Sequence, residues 1–102
     1  MIHVIATIEL KPGDREKYLE ILRENIPHVR AEQGCIHYEP AVDVETDIAL
    51  QEKTGPDVVT LIEAWEDVAA LKRHFTQPHM LSYREKAKDL IRQIRIRVLQ
   101  PA

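Results

Sequence analysis

Residues 2–10 read IHVIATIEL, and this stretch decides how the rest of the chain is arranged. β-Branched residues dominate it, and it is too short for a core helix, so we predict a strand. Side chains alternate across a strand, so one face carries Ile2, Val4, Ala6, Ile8 and Leu10. The other face runs from His3 to Glu9 and is only half polar. Apolar residues on both faces are typical of a sheet that is covered on both sides.

A helix should follow the turn at residues 11–14, with Asp14 as its N-cap. Its apolar stripe recurs at helical spacing, at Tyr18, Leu22, Ile26 and Val29. Pro27 has no N–H to donate to the preceding turn, so we expect it to kink the helix or to restart it as a short second segment. Gly34 is the expected C′ glycine of this unit.

Three more strands and a second helical region complete the chain. A strand is predicted over residues 35–44, and Pro40 restricts it to an edge or a bulge. A short strand is a candidate at residues 48–53, and a clear strand is predicted over residues 58–65 (VVTLIEAW). Glu66 and Asp67 should open a helix, and Pro78 should lie in the first turn of another that runs to about residue 90. The inner stripes are Ala70, Leu71, His74 and Phe75, then Met80, Tyr83, Ala87 and Leu90. Residues 92–99 form the last strand.

The resulting β-α-β-β-α-β order predicts an α+β, ferredoxin-like antiparallel sheet in one domain, residues 1–102 with a core of about 2–97. Helices can cover only one face of such a sheet. A second copy of the chain is the simplest cover for the other face, so we expect a homodimer.

Composition narrows the range of functions. The net charge is −3, from 14 basic and 17 acidic residues, so no nucleic-acid surface is expected. The local exception, Arg92, Arg95 and Arg97, alternates with apolar residues as in a solvated strand face. One cysteine, Cys35, excludes an intramolecular disulfide and a multi-Cys metal site. Neither a signal peptide nor a membrane span is apparent, and a cytoplasmic location is the default expectation.

Two groups of residues are candidates for chemistry. Glu63 and Trp65 share one strand face, where a carboxylate among apolar neighbours must be paired, hydrogen-bonded or protonated. Glu63 is therefore paired with an Arg or Lys, or it lies near the solvent-exposed end of the strand. The other interpretation is a carboxylate in a pocket, beside an aromatic wall. His74 and His79 lie five residues apart, which does not suit a metal pair on one helical face, and no metal site is expected. Each could be a core histidine or a group that moves protons.

These residues belong to a longer pattern. The run Glu63-x-Trp65-x4-Ala70-Leu71-x2-His74-x4-His79, preceded by Gly34-Cys35-x2-Tyr38, resembles the antibiotic biosynthesis monooxygenase family, in particular its small quinol monooxygenase members. The resemblance extends over residues 2–97. It implies a dimeric α+β barrel with a pocket between sheet and helices. It also implies oxidation of a quinol or hydroxylated aromatic by dioxygen without flavin, haem or metal.

The resemblance also suggests roles for individual residues. His74, with Tyr38 or Glu63 in support, would take the phenolic proton as the catalytic group. Trp65 would contact the substrate ring and His79 would line the entrance, and Phe75 and Tyr83 complete the predicted substrate-binding set.

Two alternatives to this function remain open. One is a non-catalytic dimer that binds a small aromatic ligand. The other is a haem-binding or haem-degrading protein, although haem-degrading relatives use an Asn on the first strand, where this chain has Ile5. Antibiotic-tailoring relatives use an Arg and a Tyr around the pocket, and Tyr83 and Arg84 occur here without a demonstrable alignment.

Overall fold

A computed structural model describes all residues, 1–102, and contains the predicted order of elements. In chain order these are β1 (Ile2–Leu10), α1 (Arg15–Arg30), β2 (Cys35–Ala41), β3 (Val58–Trp65), α2 (Val68–Phe75), α3 (Pro78–Ala87), a 3₁₀ turn (Lys88–Leu90) and β4 (Ile91–Leu99). The strands form one antiparallel sheet in the order β2-β3-β1-β4. The predicted ferredoxin-like α+β fold is therefore confirmed.

Strand β1 lies inside the sheet and has the predicted alternation, with every even-numbered side chain buried. It pairs with β3 in a register that places Val4 opposite Glu63 and Ala6 opposite Leu61. Directly opposed residues of neighbouring strands point to the same face. The register therefore carries Glu63 onto the face that the helices cover.

The helices follow most of the predicted stripes, but Phe75 at the end of α2 is 36% exposed, and Leu90 lies half-buried in the 3₁₀ turn after α3. Helix α1 continues through Pro27 to Arg30 and does not restart, and the Pro27 carbonyl accepts a hydrogen bond from the Ala31 N–H. Pro27 removes only one intrahelical hydrogen bond near the end of the helix, and the buried side chains Tyr18, Leu22, Ile26 and Val29 hold both sides of it. Asp67 caps α2 by accepting from the Ala70 N–H at 2.8 Å, whereas Asp14 at the start of α1 makes no side-chain capping bond.

The segment between β2 and β3 differs from the sequence prediction. β2 ends at Ala41 rather than at residue 44, and residues 48–53 form no strand. The Asp43 carboxylate instead closes the loop by accepting from the backbone N–H groups of Thr54 and Gly55. β2 is an edge strand, as Pro40 predicted, but its irregularity lies between Cys35 and His37.

Gly34 is not the C′ residue of α1, because the helix ends at Arg30 and the C′ position falls at Glu32. Gly34 has a φ of +89°. A Cβ atom there would lie 2.6 Å from the Ala70 Cβ of α2, so the residue serves a close approach between the loop and that helix.

Part of the sheet lacks a cover within the chain. On the helix side of β4, Ile94, Ile96 and Val98 are 51%, 45% and 46% exposed. On the opposite face of the sheet, which no helix covers, Ile62 is 41% exposed. The arginines of β4 are exposed as predicted, and Arg95 lies 3.2 Å from Glu9 across the strand pair. No helix has the length and hydrophobicity needed to cross a membrane.

Candidate functional site

A cavity of about 340 Å³ lies between the helix-covered face of the sheet and helices α2 and α3. Its walls are mainly hydrophobic, and a few polar groups interrupt them. The lining residues come from every strand and both of these helices: Ala6, Ile8, Tyr38, Leu61, Glu63, His74, Phe75, Met80, Tyr83, Arg84, Lys88, Ile91, Ile94 and Ile96. Apolar walls with a small number of polar groups are the usual composition of a small-molecule site.

The carboxyl group of Glu63 is buried in the cavity wall, and no Arg or Lys pairs with it. Its only hydrogen bond comes from the indole N–H of Trp65, at 2.9 Å. Burial raises the pKa of Glu63 from 4.5 to about 7, and the negative charge of Glu32 adds to the increase, while the Trp65 hydrogen bond opposes it. Of the alternatives that the sequence left open, the structure therefore favours the pocket carboxylate. Near neutral pH this group can give or take a proton.

His74 is the second titratable group in the wall, and it is 2% exposed. Its Nδ1 atom lies 2.7 Å from Oε2 of Glu32, a residue in the turn after α1. An ionised carboxylate only accepts hydrogen bonds, so Nδ1 carries the proton and Nε2 keeps its lone pair. Burial lowers the pKa of His74, and the Glu32 carboxylate partly offsets this effect. A neutral imidazole that a carboxylate orients in this way is a suitable general base.

Tyrosines and aromatic rings surround the imidazole of His74. Its ring centroid lies 4.8 Å from that of Trp65 and 5.8 Å from that of Tyr38. Burial raises the pKa values of Tyr38 and Tyr83, so both phenols stay protonated at neutral pH. The Tyr83 hydroxyl lies 2.5 Å from that of Tyr18 and is thereby satisfied inside the protein. The Tyr38 hydroxyl makes no such bond and is the free phenol of the cavity.

His79 lies outside this cavity, with its ring centroid 6.5 Å from that of His74. It lines a separate polar pocket of about 410 Å³, together with His28, Ala31, Glu32, Gln33, Arg73 and Gln77. Its Nδ1 atom is 3.0 Å from Asn25 Oδ1, and its Nε2 atom is 3.1 Å from Glu32 Oε2. The second contact is not aligned as a hydrogen bond, which leaves His79 Nε2 as a buried nitrogen without a hydrogen-bond partner.

The cavity therefore brings together five of the seven residues chosen from the sequence: Tyr38, Glu63, His74, Phe75 and Tyr83. Trp65 is fully buried behind Glu63 and does not line the cavity. Glu32 was missed by the sequence analysis. It lies 42 residues before His74, in a turn without any motif, so only the folded chain reveals the pair.

Cys35 and the potential metal ligands are the remaining chemical groups to be described near the cavity. Cys35 is half-buried and unpaired, and burial together with the charges of Glu32 and Glu63 raises its pKa, which makes the thiol less reactive. No group of three or more His, Cys, Asp or Glu side chains has an arrangement that would hold a metal ion. The cavity residues themselves include groups able to transfer protons beside an apolar space.

Fold and site together define a ferredoxin-like α+β protein with an apolar cavity that contains an acid and a base. The sequence profile described as "Antibiotic biosynthesis monooxygenase" matches residues 1–86. The chain belongs to this family.

Its relatives extend over nearly the whole chain. Over 103 residues it is 38% identical to the Escherichia coli K12 protein named "Probable quinol monooxygenase YgiN", covering 99% of this chain and 98% of that protein. The crystal structure of PA3566 from Pseudomonas aeruginosa is 30% identical and superposes with a TM-score of 0.80, covering 99% of this chain and 93% of that one. A structure titled "Crystal structure of antibiotic biosynthesis monooxygenase" is 26% identical with a TM-score of 0.82, covering 100% of this chain and 99% of that one.

Proposed function

We propose that this protein is a cofactor-independent monooxygenase that oxidises a quinol or a hydroxylated aromatic compound with dioxygen. The supporting observation is the cavity, in which Glu63, His74 and Tyr38 face a mainly hydrophobic space. Family membership supports monooxygenation, and the name of the E. coli relative supports the quinol as substrate class.

The proposed chemistry requires little from the protein beyond binding and proton transfer. An electron-rich quinol that has lost a proton can pass an electron to dioxygen itself. His74 Nε2 takes the phenolic proton, and Glu32 holds the imidazole in the tautomer that can do so. The apolar walls bind the ring, and Tyr38 and Glu63 supply hydrogen bonds to its oxygen atoms.

Oxygen uptake with a reduced naphthoquinone tests this function directly. Metal-free protein should consume oxygen faster than the autoxidation blank, and His74→Ala should lower the enzymatic rate by about 10²-fold because the general base is lost. His37→Ala is the control, since His37 lies on the exposed edge strand away from the cavity. Rates equal to the blank across several quinols would refute the proposal. Ligand-induced stabilisation without turnover would indicate the non-catalytic binding protein instead.

We further propose that the protein acts as a homodimer. Ile62 on the open sheet face is a large apolar side chain with no cover in the monomer, and a second copy packed on that face would bury it. Sedimentation at micromolar concentration should give twice the chain mass of 11.8 kDa. A monomeric species under these conditions would contradict this proposal.

A further inference from the structure

Glu32 is the one carboxylate that contacts both His74, which is buried, and His79, which is partly buried. Its Oε2 atom lies 2.7 Å from His74 Nδ1 and 3.1 Å from His79 Nε2, and its side chain is 8% exposed. It also lines the polar pocket, which is open to solvent. Glu32 thus lies between the solvent-exposed polar pocket and His74, which faces the apolar cavity.

The hydrogen bonds of Asn25 determine which nitrogen of His79 carries its proton. Asn25 Nδ2 donates to the Met80 sulfur at 3.3 Å, and a thioether can only accept, so Asn25 Oδ1 faces His79. His79 Nδ1 must therefore carry the proton that Asn25 Oδ1 accepts at 3.0 Å. Without a second proton, the lone pair of His79 Nε2 would face the Glu32 carboxylate inside the protein. Such an arrangement of two acceptors is repulsive, and a buried polar group without a partner is unfavourable.

We propose that His79 carries a second proton on Nε2, beside the Glu32 carboxylate, and that Glu32 is the proton outlet of the site, linking His74 to the polar pocket. This inference rests on the proposed function for its role in turnover. In the forward step the substrate O–H bond breaks, its electron pair stays on the phenolate oxygen, and the proton joins His74 Nε2. The Nδ1 proton of His74 then moves to Glu32 Oε2, and from there a proton leaves to water in the polar pocket. Glu32 is a positioning and relay residue, since it does not contact the substrate.

Other charged and titratable groups surround the outlet. His28 of α1 stacks on His79 with ring centroids 5.7 Å apart, and Arg73 of α2 lines the same pocket. On the cavity side, the charge of Glu32 acts on Glu63 and on Cys35. Glu32 thus has basic groups beside it on its solvent side.

The second proton of His79 is tested by ¹⁵N NMR of the imidazole rings at neutral pH, which requires no turnover. In the wild type both nitrogens of His79 should carry a proton, and in Glu32→Gln the ring should become the neutral Nδ1–H tautomer. Glu20→Gln is the matched control, because that residue is exposed on α1 and lies outside both pockets that His79 lines. Identical His79 signals in wild type and Glu32→Gln would overturn the second proton.

The outlet is tested by kinetics. The amide oxygen introduced by Glu32→Gln can still accept from His74 Nδ1 but cannot take up a proton, so this variant should lower kcat by about 10–10² with KM unchanged. In Glu32→Ala, added acetate should restore more activity than fluoroacetate, a weaker base of similar size that would fill the same space. Equal rescue by both, or an unchanged kcat in Glu32→Gln, would overturn the relay. If the wild type shows no turnover at all, the proposed function fails, and the NMR comparison still decides whether the cluster holds its proton.

Discussion

Replacing Glu63 by glutamine should remove a pH dependence of stability that the buried carboxyl imposes. Burial raises the pKa of Glu63 from 4.5 to about 7 in the folded protein, whereas the unfolded chain keeps the ordinary value. Between these two values the folded state holds a proton that the unfolded state has lost. The contribution to stability is therefore complete below about pH 4.5 and is lost progressively as the pH rises to about 7.

The size of this effect follows from linkage. A difference of one pKa unit corresponds to about 1.4 kcal/mol, and integration from pH 5 to pH 8 gives a loss of about 2.5 kcal/mol from this single group. The glutamine side chain of Glu63→Gln has the same size, and its amide oxygen can still accept from the Trp65 indole. Any fixed cost of the amide is independent of pH, so only the change with pH is compared.

Urea unfolding, followed by the fluorescence of Trp65, provides the measurement, since the chain has one tryptophan. Wild type and Glu63→Gln are compared at pH 5, 6, 7 and 8 and at one protein concentration. The wild type should lose about 2.5 kcal/mol more than the variant over this range. Glu20→Gln, an exposed residue of α1, should keep the wild-type profile. Parallel curves for wild type and Glu63→Gln would refute a Glu63 that is protonated in the fold.

Two further predictions concern local features of the fold. Gly34→Ala should destabilise the fold by about 2 kcal/mol or more, since it adds a steric clash with Ala70 to an unfavourable positive φ. Gly13→Ala, at a residue with a φ of +82° and open space around it, should destabilise the fold less. Equal losses of stability for the two variants in thermal unfolding would contradict the clash. Asp67→Ala should cost about 1 kcal/mol because it removes the capping bond to the Ala70 N–H. Asp14→Ala is the matched comparison, because Asp14 makes no capping bond. A larger decrease in Tm for Asp14→Ala than for Asp67→Ala would contradict the observed capping.

The sequence was sufficient for the fold because its signals are local and agree with one another. The alternation in β1, the stripe of α1, the acidic pair Glu66 and Asp67 before α2 and Pro78 at the start of α3 each report on a few neighbouring residues, and together they define the order of elements. The candidate short strand at residues 48–53 failed because a strand needs a neighbour to pair with, and the segment lies in a loop that Asp43 closes.

The site was predictable only in part because its geometry depends on tertiary contacts. Period two correctly placed Glu63 and Trp65 on one face, but it could not show that the indole would lie behind the carboxyl and bond to it. Helical spacing placed His74 inward, yet the orientation of its ring is set by Glu32, which comes from a turn that carries no periodic signal. The five-residue gap between His74 and His79 indicated different directions for the two rings, and they do face different pockets.

A single physical cause prepares both ionisable groups of the cavity for the proposed reaction. Burial raises the pKa of Glu63 and lowers that of His74, so the same desolvation favours a neutral acid and a neutral base side by side. An apolar ring can then enter the cavity without displacing charge. Charge first appears when the hydroxyl proton of the ligand reaches His74, at a point where Glu32 already stands 2.7 Å from the other side of the imidazole. The negative charge that stabilises the protonated His74 is thus kept outside the cavity, where it does not repel the phenolate that the same step creates.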